Sequence, residues 1–472
     1  MKSGRFFGCL SGLLIVSGCM TIFNAYEAQE SVADKGNGVC ADGAGKLDLS
    51  DYSLKELVQF AMTNRPSMTS AALAVVDARL TLREIAADAP LVSYSPWTSP
   101  HLAISGGYSE SSTPDTPIKW KTAGNASAGL SLDVLIYDFG RNASRASAQV
   151  ERVLAAEHDF IRTGYAVFTE VSTAYFNLME RDALLSVAIT NAAEFALHLK
   201  EAEDRLAAGE AMKLDVTRAR SNLYQAREEA IVASNDVVTA GAALMKALGI
   251  DVSHGMRDEV YPAFGDGLTT MRRGFARTDY GLNSAFDLAR TNAPSMAIAR
   301  AQLRAASRQV DYAIADLMPS VSAQVGISWA DPLWAWHWGV DAVQSVFTGF
   351  RKVTAVDRAV VAMQGASAAV DETEQQLSLD LETAIAVRDN AAKKLETARM
   401  SVQEAREDLG LVKQQYQEGE ASRVDFTEAV TSYARALGNR ISAFYTGQRA
   451  EAALFAIVGR VPEYDEKEMK EN

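Results

Sequence analysis

Carboxylates at helical spacing are the most chemically suggestive feature of the sequence. Asp425 and Glu428 are three residues apart, so a helix would place both on one face. Such a face attracts cations, and it is also what an ordinary solvated helix looks like in a chain with 60 acidic residues. Asp215 stands 210 residues before Asp425, but Arg218 stands where the later stretch has Glu428. The two related stretches therefore differ in charge.

Patterns typical of catalysis or metal binding are missing from the sequence. It contains no nucleotide-binding loop and no HExxH or GxSxG motif. The five histidines are scattered without the spacing of metal ligands: His101, His158, His198, His254 and His337. Cys40 is the one cysteine clearly beyond the N-terminal segment, so neither a disulfide framework nor a Cys-based metal site is expected. We predict a protein that is not an enzyme and that has no cofactor and no metal site.

The N-terminal segment predicts export from the cytoplasm. Lys2 and Arg5 precede an apolar stretch at positions 6–18 that is too short to span a membrane as a helix. The stretch ends in VSGC, which resembles the bacterial lipobox, so residues 1–18 are interpreted as a signal peptide and Cys19 as the lipidation site. The alternative is an ordinary signal peptide that is cleaved a few residues later. Met20 is not an aspartate, so the usual inner-membrane retention signal is missing.

Composition restricts the partners and the mode of membrane insertion. The 472 residues carry a formal net charge of −14, which argues against binding to nucleic acid. After Cys19, no stretch approaches the roughly 18 uninterrupted apolar residues that a membrane helix needs. If the protein spans a membrane, we therefore expect it to do so with strands.

The sequence contains two copies of one unit. The phrase AGEAMKLDVTRA, which begins at Ala208, returns as EGEASRVDFTEA at Glu418, 210 residues later. The same offset aligns residues 137–250 with residues 347–460. Upstream, TNRPSM matches TNAPSM at an offset of 228, so the first copy carries extra residues between these blocks. We predict that the polar, proline-containing segment 108–121 is this extra loop.

The duplication sets the expected domain boundaries. We predict a linker at 19–50, a first copy at 51–250, a connection at 251–281, a second copy at 282–461 and a charged tail at 462–472.

Each copy is predicted to contain a very long helix, a glycine turn and a second helix. Apolar residues recur every seven positions at Val171, Leu178, Leu185, Ala192, Leu199 and Leu206. The equivalent positions of the second copy are Leu381, Arg388, Leu395, Val402, Leu409 and Tyr416. After the turn, alanine takes over the seven-residue period, from Ala219 in the first copy and from Ala429 in the second. Such seams predict left-handed packing of helices in close contact.

Between the helices the period changes from seven to two, which predicts strands. Apolar and small polar residues alternate at 101–108, 126–134, 320–329 and 334–342, and we expect two hairpins at about 100–137 and 320–347. Strands of roughly 9–11 residues have the length that a membrane-spanning strand needs. All six tryptophans lie in or near these regions, as is typical of membrane interfaces. Four strands cannot close a barrel, so several copies of the chain are expected to pool them.

This duplicated unit, with its repeated phrase at each turn, resembles the TolC family of outer-membrane factors from about Leu54 to Val461. The lipobox is similar to that of the family's lipidated branch. The resemblance implies a mainly α protein with a membrane β part, in which a trimeric twelve-stranded β-barrel continues as a long α-helical coiled-coil barrel. It further implies a homotrimer that meets outer-membrane lipid, a periplasmic adaptor and an inner-membrane transporter, as the exit duct of an efflux or type I secretion system.

The resemblance also implies roles for residues near the two turns. Acidic side chains at Asp425, Glu428 and Asp215 would surround the pore constriction, while Tyr416 and Asp215 would hold the tip closed. The turn residues would contact the adaptor: Gly209, Glu210, Ala211, Gly419, Glu420 and Ala421. Tyr416 also continues the heptad, so a purely packing role stays open. Where the family member used for comparison has an arginine two residues after the second glycine, this chain has Ala421, and its nearest arginine is Arg423.

Two other functional classes compete with the duct. A lipid-anchored periplasmic coiled-coil scaffold or adaptor would keep the heptads, but it has no use for four alternating strands. A periplasmic enzyme would need convergent titratable groups in a polar pocket, and the sequence offers none.

Overall fold

The computed structural model describes residues 53–87, 101–116, 119–209, 212–250, 275, 282–330, 333–345, 347–418 and 420–460. The predicted signal peptide, Cys19 and most of the connection at 251–281 lie outside the described residues, as do Glu210, Ala211 and Gly419.

Within these residues the fold is mainly helical, and its order of elements repeats once. The elements are α1 (Leu54–Asn64), α2 (Pro66–Ala87), β1 (His101–Thr116), β2 (Lys119–Tyr137), α3 (Arg141–Ala207), α4 (Lys213–Leu248), α5 (Leu282–Asn292), α6 (Pro294–Ala315), β3 (Ser320–Ala330), β4 (Leu333–Val343), α7 (Arg351–Glu418) and α8 (Arg423–Val458). Each copy thus has two short helices, a hairpin, a very long helix and a further helix.

The chain divides into two compact units, and every contact described below lies within one of them. The first contains the described parts of residues up to 70, of 161–293 and of 376 onward. The second contains those of 71–160 and 294–375, which include the whole sheet.

The predicted heptad seams form much of the buried core of the first unit. Val171, Leu178 and Leu381 are almost fully buried, and so are the seam alanines Ala219 and Ala429. Small side chains at every seventh position let helices approach closely, while larger residues fill the space between them. Leu206 is an exception, because its side chain is 37% exposed where the matching Tyr416 is buried.

Glycines end α4 and α8 where each helix meets the turn between two short helices. Gly249 and Gly459 both adopt positive φ, +80° and +71°. A Cβ on Gly459 would lie 2.7 Å from the Asn292 carbonyl oxygen, and one on Gly249 would lie 3.3 Å from the Arg65 Cγ. The TNRPSM and TNAPSM motifs form these turns: α1 ends at Asn64 before Pro66, and α5 ends at Asn292 before Pro294.

The strand-to-helix junctions have a strained backbone in both copies. Phe139 and Phe350 adopt φ values of +53° and +62°, which non-glycine residues seldom do. In the first copy the buried Asp138 carboxylate accepts hydrogen bonds from the Gly140 and Asn142 amides at 3.2 and 2.7 Å, which caps α3.

The four strands form one antiparallel sheet in the order β1-β2-β3-β4, with β1 and β4 at its edges. Leu130 pairs with Ile327, and Ile327 pairs with Trp336, so apolar side chains form a row across the sheet. This row is uncovered: Ile327, Trp336 and the adjacent Trp338 are 45%, 75% and 69% exposed. On the opposite side, Gln324 donates a hydrogen bond to Asp341 at 2.7 Å.

The predicted loop at 108–121 is wrong. Its residues continue the first hairpin, with Tyr108 paired to Ala126 and Thr113 paired to Lys121, so β1 and β2 reach 16 and 19 residues. The backbone ladder continues past the apolar part of each strand, because pairing uses main-chain groups whatever the side chains are. Pro114 is tolerated since β1 is an edge strand, and the register shifts between Pro114 and Thr116.

One described helix, α4, is long and apolar enough to cross a membrane by length and composition alone. The mean hydropathy of its most apolar 18-residue segment is high enough for a membrane helix, although α4 has no uninterrupted apolar run of that length. The core helix of a soluble protein passes the same test, and in α4 the alanine seam supplies much of the apolar character.

Candidate functional site at the two helical tips

Both copies of the repeated phrase form a tight turn between two helices. In the first copy α3 ends at Ala207, Gly209 adopts a φ of +80°, and α4 begins at Lys213. In the second copy the amides of Glu420 and Ala421 both donate to the Gln415 carbonyl, at 2.9 and 3.2 Å, before α8 begins. We call these turns the first tip and the second tip.

The aspartate that the two phrases share, Asp215 and Asp425, has a local structural role that the sequence analysis did not predict. At the second tip the Ser422 hydroxyl accepts a hydrogen bond from the Asp425 amide at 3.3 Å, and the Asp425 carboxylate accepts one from the Ser422 amide at 3.0 Å. This reciprocal capping box satisfies two amides at the start of α8. At the first tip Met212 has no hydroxyl, and one half remains: Asp215 accepts from the Met212 amide at 3.2 Å. In the sequence, the spacing of three between Ser422 and Asp425 is the pattern that indicates such a capping box.

Asp425 and Glu428 share the exposed face of α8 that their spacing predicts. The opposite face buries Phe426, Ala429 and Val430. The two acidic residues line a groove of about 760 Å³ that also receives the side chains of Asp408, Arg218, Arg423 and Arg435. Three carboxylates thus face three guanidinium groups. Within one chain the groove is therefore close to charge-balanced.

Asp215 links the two tips through an ion pair with Arg423. The Arg423 Nε lies 3.6 Å from the Asp215 carboxylate, and the two side chains are 15% and 34% exposed. Such a partly exposed pair contributes about 0–1 kcal/mol to stability. Its significance is positional, because it joins α4 of the first copy to α8 of the second.

Tyr416 is buried and is held by ring contacts. Its ring stacks on Phe426 with centroids 5.3 Å apart, and the guanidinium of Arg205 lies over the ring at 4.8 Å. Burial is the main cause that raises the pKa of the Tyr416 hydroxyl. These contacts fit the packing role that the heptad predicted. A hydrogen bond from Tyr416 that holds the tip closed stays a prediction.

His198 is the residue of the tips that sequence reasoning did not identify. Its imidazole is 1% exposed and lies against the rings of Tyr416 and Phe426, at centroid distances of 5.4 and 4.9 Å. Both ring nitrogens are buried without a hydrogen-bond partner. Burial, followed by the charges of Arg423 and Arg205, lowers the pKa of His198. The sequence shows only that a histidine stands where the second copy has Asp408.

The surrounding core joins all four helices of the two tips. Phe195, Leu223, Tyr416 and Phe426 form its buried centre, and Leu199, Leu409 and Val412 pack around it. The site therefore consists of two capped turns, one ion pair between copies, and an aromatic cluster that encloses an unpaired histidine. Of the predicted tip residues, Gly209, Glu420 and Ala421 lie in these turns.

A comparison with protein-family models identifies a family whose pattern this chain matches. A family model described as outer membrane efflux protein matches residues 57–250 and 285–460. No match was found among curated protein sequences.

Several solved structures share the fold. A membrane protein from Pseudomonas aeruginosa matches with a TM-score of 0.74 at 23% identity, over 88% of this chain and 95% of that one. CusC, described as forming a transmembrane channel, matches with a TM-score of 0.74 at 21% identity, over 89% and 95%. The outer membrane protein VceC from Vibrio cholerae matches with a TM-score of 0.70 at 18% identity, over 86% and 96%. At these identities the likeness concerns the fold. Because the family model matches well over half of its residues, the chain belongs to the outer membrane efflux protein family.

Proposed function

We propose that this outer membrane efflux protein is the exit duct of a tripartite efflux or type I secretion system. In this proposal a homotrimer receives substrates from an inner-membrane transporter and a periplasmic adaptor, and it conducts them across the periplasm and the outer membrane. The observation that carries the proposal is the uncovered apolar row of the sheet, in a chain whose family is one of outer membrane channels.

The geometry of the sheet supports a barrel shared between chains. β4 exposes nearly all of its residues, including three tryptophans, and it is an edge strand. An edge with free backbone groups and an apolar face is unstable in lipid unless further strands complete it. Three chains would supply twelve strands, which is enough for closure, whereas four are not.

The tips support a role in partner contact and closure. We assign adaptor contact to Gly209, Glu210, Ala211, Gly419, Glu420 and Ala421, because the repeated phrase has small and acidic residues between the two helices of each copy. We assign closure to Tyr416 and to Asp215, with Arg423 as the partner of Asp215. In this chain Arg423 would take over the role of the family member's arginine, because the position equivalent to that arginine is Ala421.

We assign the pore constriction to Asp425 and Glu428, which line the groove, and to Asp215, whose ion-pair partner Arg423 also lines it. Because Arg218, Arg423 and Arg435 face the same groove, we expect the wild-type pore to prefer cations only weakly. Removal of the acidic groups would leave the arginines in excess and shift the preference toward anions.

Single-channel conductance in planar bilayers tests the duct and its constriction together. We would compare the wild type with Asp425→Asn/Glu428→Gln, and use Glu396→Gln, an exposed carboxylate elsewhere on α7, as the charge control. The proposal expects pores whose selectivity shifts toward anions in the double variant alone. Pores with unchanged selectivity would keep the duct and contradict the constriction. A chain that forms neither trimers nor pores would favour the lipid-anchored scaffold instead.

We further propose that a lipid on Cys19 anchors the protein in the outer membrane. The VSGC sequence at the end of the apolar segment supports this assignment. Mass spectrometry of the mature N-terminus should find a lipid-modified Cys19, and Cys19→Ser should abolish labelling with palmitate. An unmodified N-terminus a few residues downstream would show an ordinary signal peptide.

A further inference from the structure

The aromatic cluster of the tips contains a buried group that the duct does not explain. His198 is almost completely enclosed, and neither of its nitrogens has a hydrogen-bond partner. A neutral imidazole carries one donor and one acceptor, so both of its polar functions are unsatisfied in the packed tip. Such a group is tolerated while it is neutral, because its ring fits between Tyr416 and Phe426.

Protonation would make this position much less favourable. The imidazolium has two donors and a positive charge, and an unpaired buried charge costs far more than an unpaired polar group. The aromatic faces offer some compensation, since rings attract cations. However, Arg205 already lies over the Tyr416 ring, at 4.8 Å.

The charged groups on the four surrounding helices do not reverse this balance. On α3, Arg205 opposes protonation of His198, Glu201 acts on the nearby Tyr416 hydroxyl, and Glu194 is engaged with Lys413. On α4, Asp215 is engaged with Arg423 of α8. On α7, Lys413 pairs with Glu194 at 3.6 Å, and Tyr416 is uncharged. The two guanidinium groups, Arg423 and Arg205, are the charges that act most strongly on His198.

We propose that His198 is an acid-sensitive latch that keeps the two tips packed at neutral pH and releases them when it binds a proton. Release would separate the helix ends that carry Tyr416 and Phe426 from α3, and it would loosen the neighbouring Asp215–Arg423 contact. The consequence for transport rests on the proposed duct function, because loosened tips matter only if they lie at the end of a duct. The loosening itself does not depend on a pore.

The direction of the pH effect follows from linkage. Burial lowers the pKa of His198 in the packed tip below its usual 6.5, while an exposed histidine in a loosened tip keeps that usual value. The loosened tip therefore binds more protons, so packing is complete above pH 6.5 and weakens as the pH falls toward the lower pKa. Between these two values the loosening equilibrium rises about tenfold per pH unit.

Hydrogen–deuterium exchange on the full-length protein in detergent tests the latch. Exchange would be measured at pH 7.5 and 5.0, with labelling times scaled for the intrinsic rate, in peptides from 195–209 and 412–430. Residues 171–185 of the same long helix serve as the internal reference. We expect the tip peptides of the wild type to exchange up to tenfold faster per pH unit on acidification, while the reference stays constant.

Variants separate the latch from general acid sensitivity. His198→Phe keeps an aromatic ring without a titrating group, and we expect its tip to be insensitive to pH. His158→Gln is the matched control, because His158 also has a pKa lowered by burial but lies in the other unit, and we expect it to behave as the wild type. An acid response of the same size in His198→Phe would overturn the proposal. If the phenylalanine loosens the tip at pH 7.5, His198→Gln replaces it. A wild-type tip that does not respond relative to residues 171–185 overturns the proposal whatever the variants do.

Discussion

At the scale of single residues, close backbone approach decides which glycines cannot be replaced. Gly209 and Gly459 both follow a long helix and both adopt positive φ, but their surroundings differ. A Cβ on Gly209 would meet nothing within 4 Å, whereas one on Gly459 would meet the Asn292 carbonyl. Glycine at these two helix ends is thus required for two different physical reasons.

We expect Gly459→Ala to destabilise the protein more than Gly209→Ala. The left-handed backbone costs an alanine about 1–2 kcal/mol at either position. Only Gly459→Ala adds a contact of 2.7 Å to a backbone oxygen that the packed α5–α6 turn cannot easily relieve. Thermal unfolding of both variants, followed by circular dichroism, measures the difference. Equal shifts of the midpoint would show that the turn moves aside.

The residue scale also shows where sequence reasoning stops. The shared face of Asp425 and Glu428 follows from a spacing of three and was predictable. The partnership of Arg423 with Asp215, and the enclosure of His198, depend on helices that are distant in sequence. A single sequence carries no local pattern for such contacts.

At the scale of elements, one side chain at the start of α8, that of Asp425, has both a structural role and a proposed functional role. Asp425 caps the helix through the Ser422 amide, and it also lines the groove. Substitution of Asp425 alone therefore changes two properties at once. Ser422 supplies the other half of the capping box, so its removal isolates the structural part.

We expect Ser422→Ala to cost about 1 kcal/mol of local stability, because the Asp425 amide loses its acceptor. Hydrogen exchange of residues 423–427 should accelerate about fivefold. Ser432→Ala, on the exposed middle of the same helix, is the control and should leave exchange unchanged or slightly slower, since alanine favours a helix. Acceleration in both variants would mean that any serine change frays α8.

The elements themselves were predictable to different degrees. The heptad positions from Val171 to Leu206 predicted a long helix, and all of them lie within α3, which is observed as Arg141–Ala207. The bounds of the first hairpin, about 100–137, were predicted closely, but its two strands were predicted too short, because the apolar alternation ends before the backbone pairing does. The pattern of apolar side chains indicates only which residues are buried. The length of the paired strands depends on hydrogen bonds between main-chain groups, which the side-chain pattern does not reveal.

The uncovered row of the sheet makes a prediction about membrane assembly. If Trp336 faces lipid, Trp336→Arg should cost about 2–4 kcal/mol near the middle of the bilayer and less near its surface. Ala335→Arg is the matched control, because Ala335 is the preceding exposed residue of β4 and points to the opposite side. The amount of heat-stable trimer in outer-membrane fractions should fall for Trp336→Arg and change little for Ala335→Arg. A greater loss for Ala335→Arg would show that the side of the sheet with Ala335, and not the side with Trp336, faces lipid.

At the scale of the whole molecule, the duplication makes the two copies alike in fold but unlike in charge. The acidic pair of the second copy is matched by Asp215 and Arg218 in the first, and Arg218 lines the same groove as Glu428. In a trimer each such difference would be repeated three times around the proposed constriction. Selectivity would then depend on the sum of both copies rather than on the acidic pair alone.

Arg218→Ser should therefore increase the preference of the pore for cations. The interaction of a permeating ion with one unit charge at roughly 8 Å in water is about 0.5 kcal/mol, which changes the local ion concentration about twofold. In a trimer three such charges would act together. Low-salt conductance, where screening is weak, should show a several-fold rise in the ratio of potassium to chloride permeability. Arg227→Ser is the control, because Arg227 is an exposed arginine of α4 outside the residues that line the groove. If both variants change selectivity equally, the net charge of the helices would govern permeation, and if neither does, the narrowest point lies away from this groove.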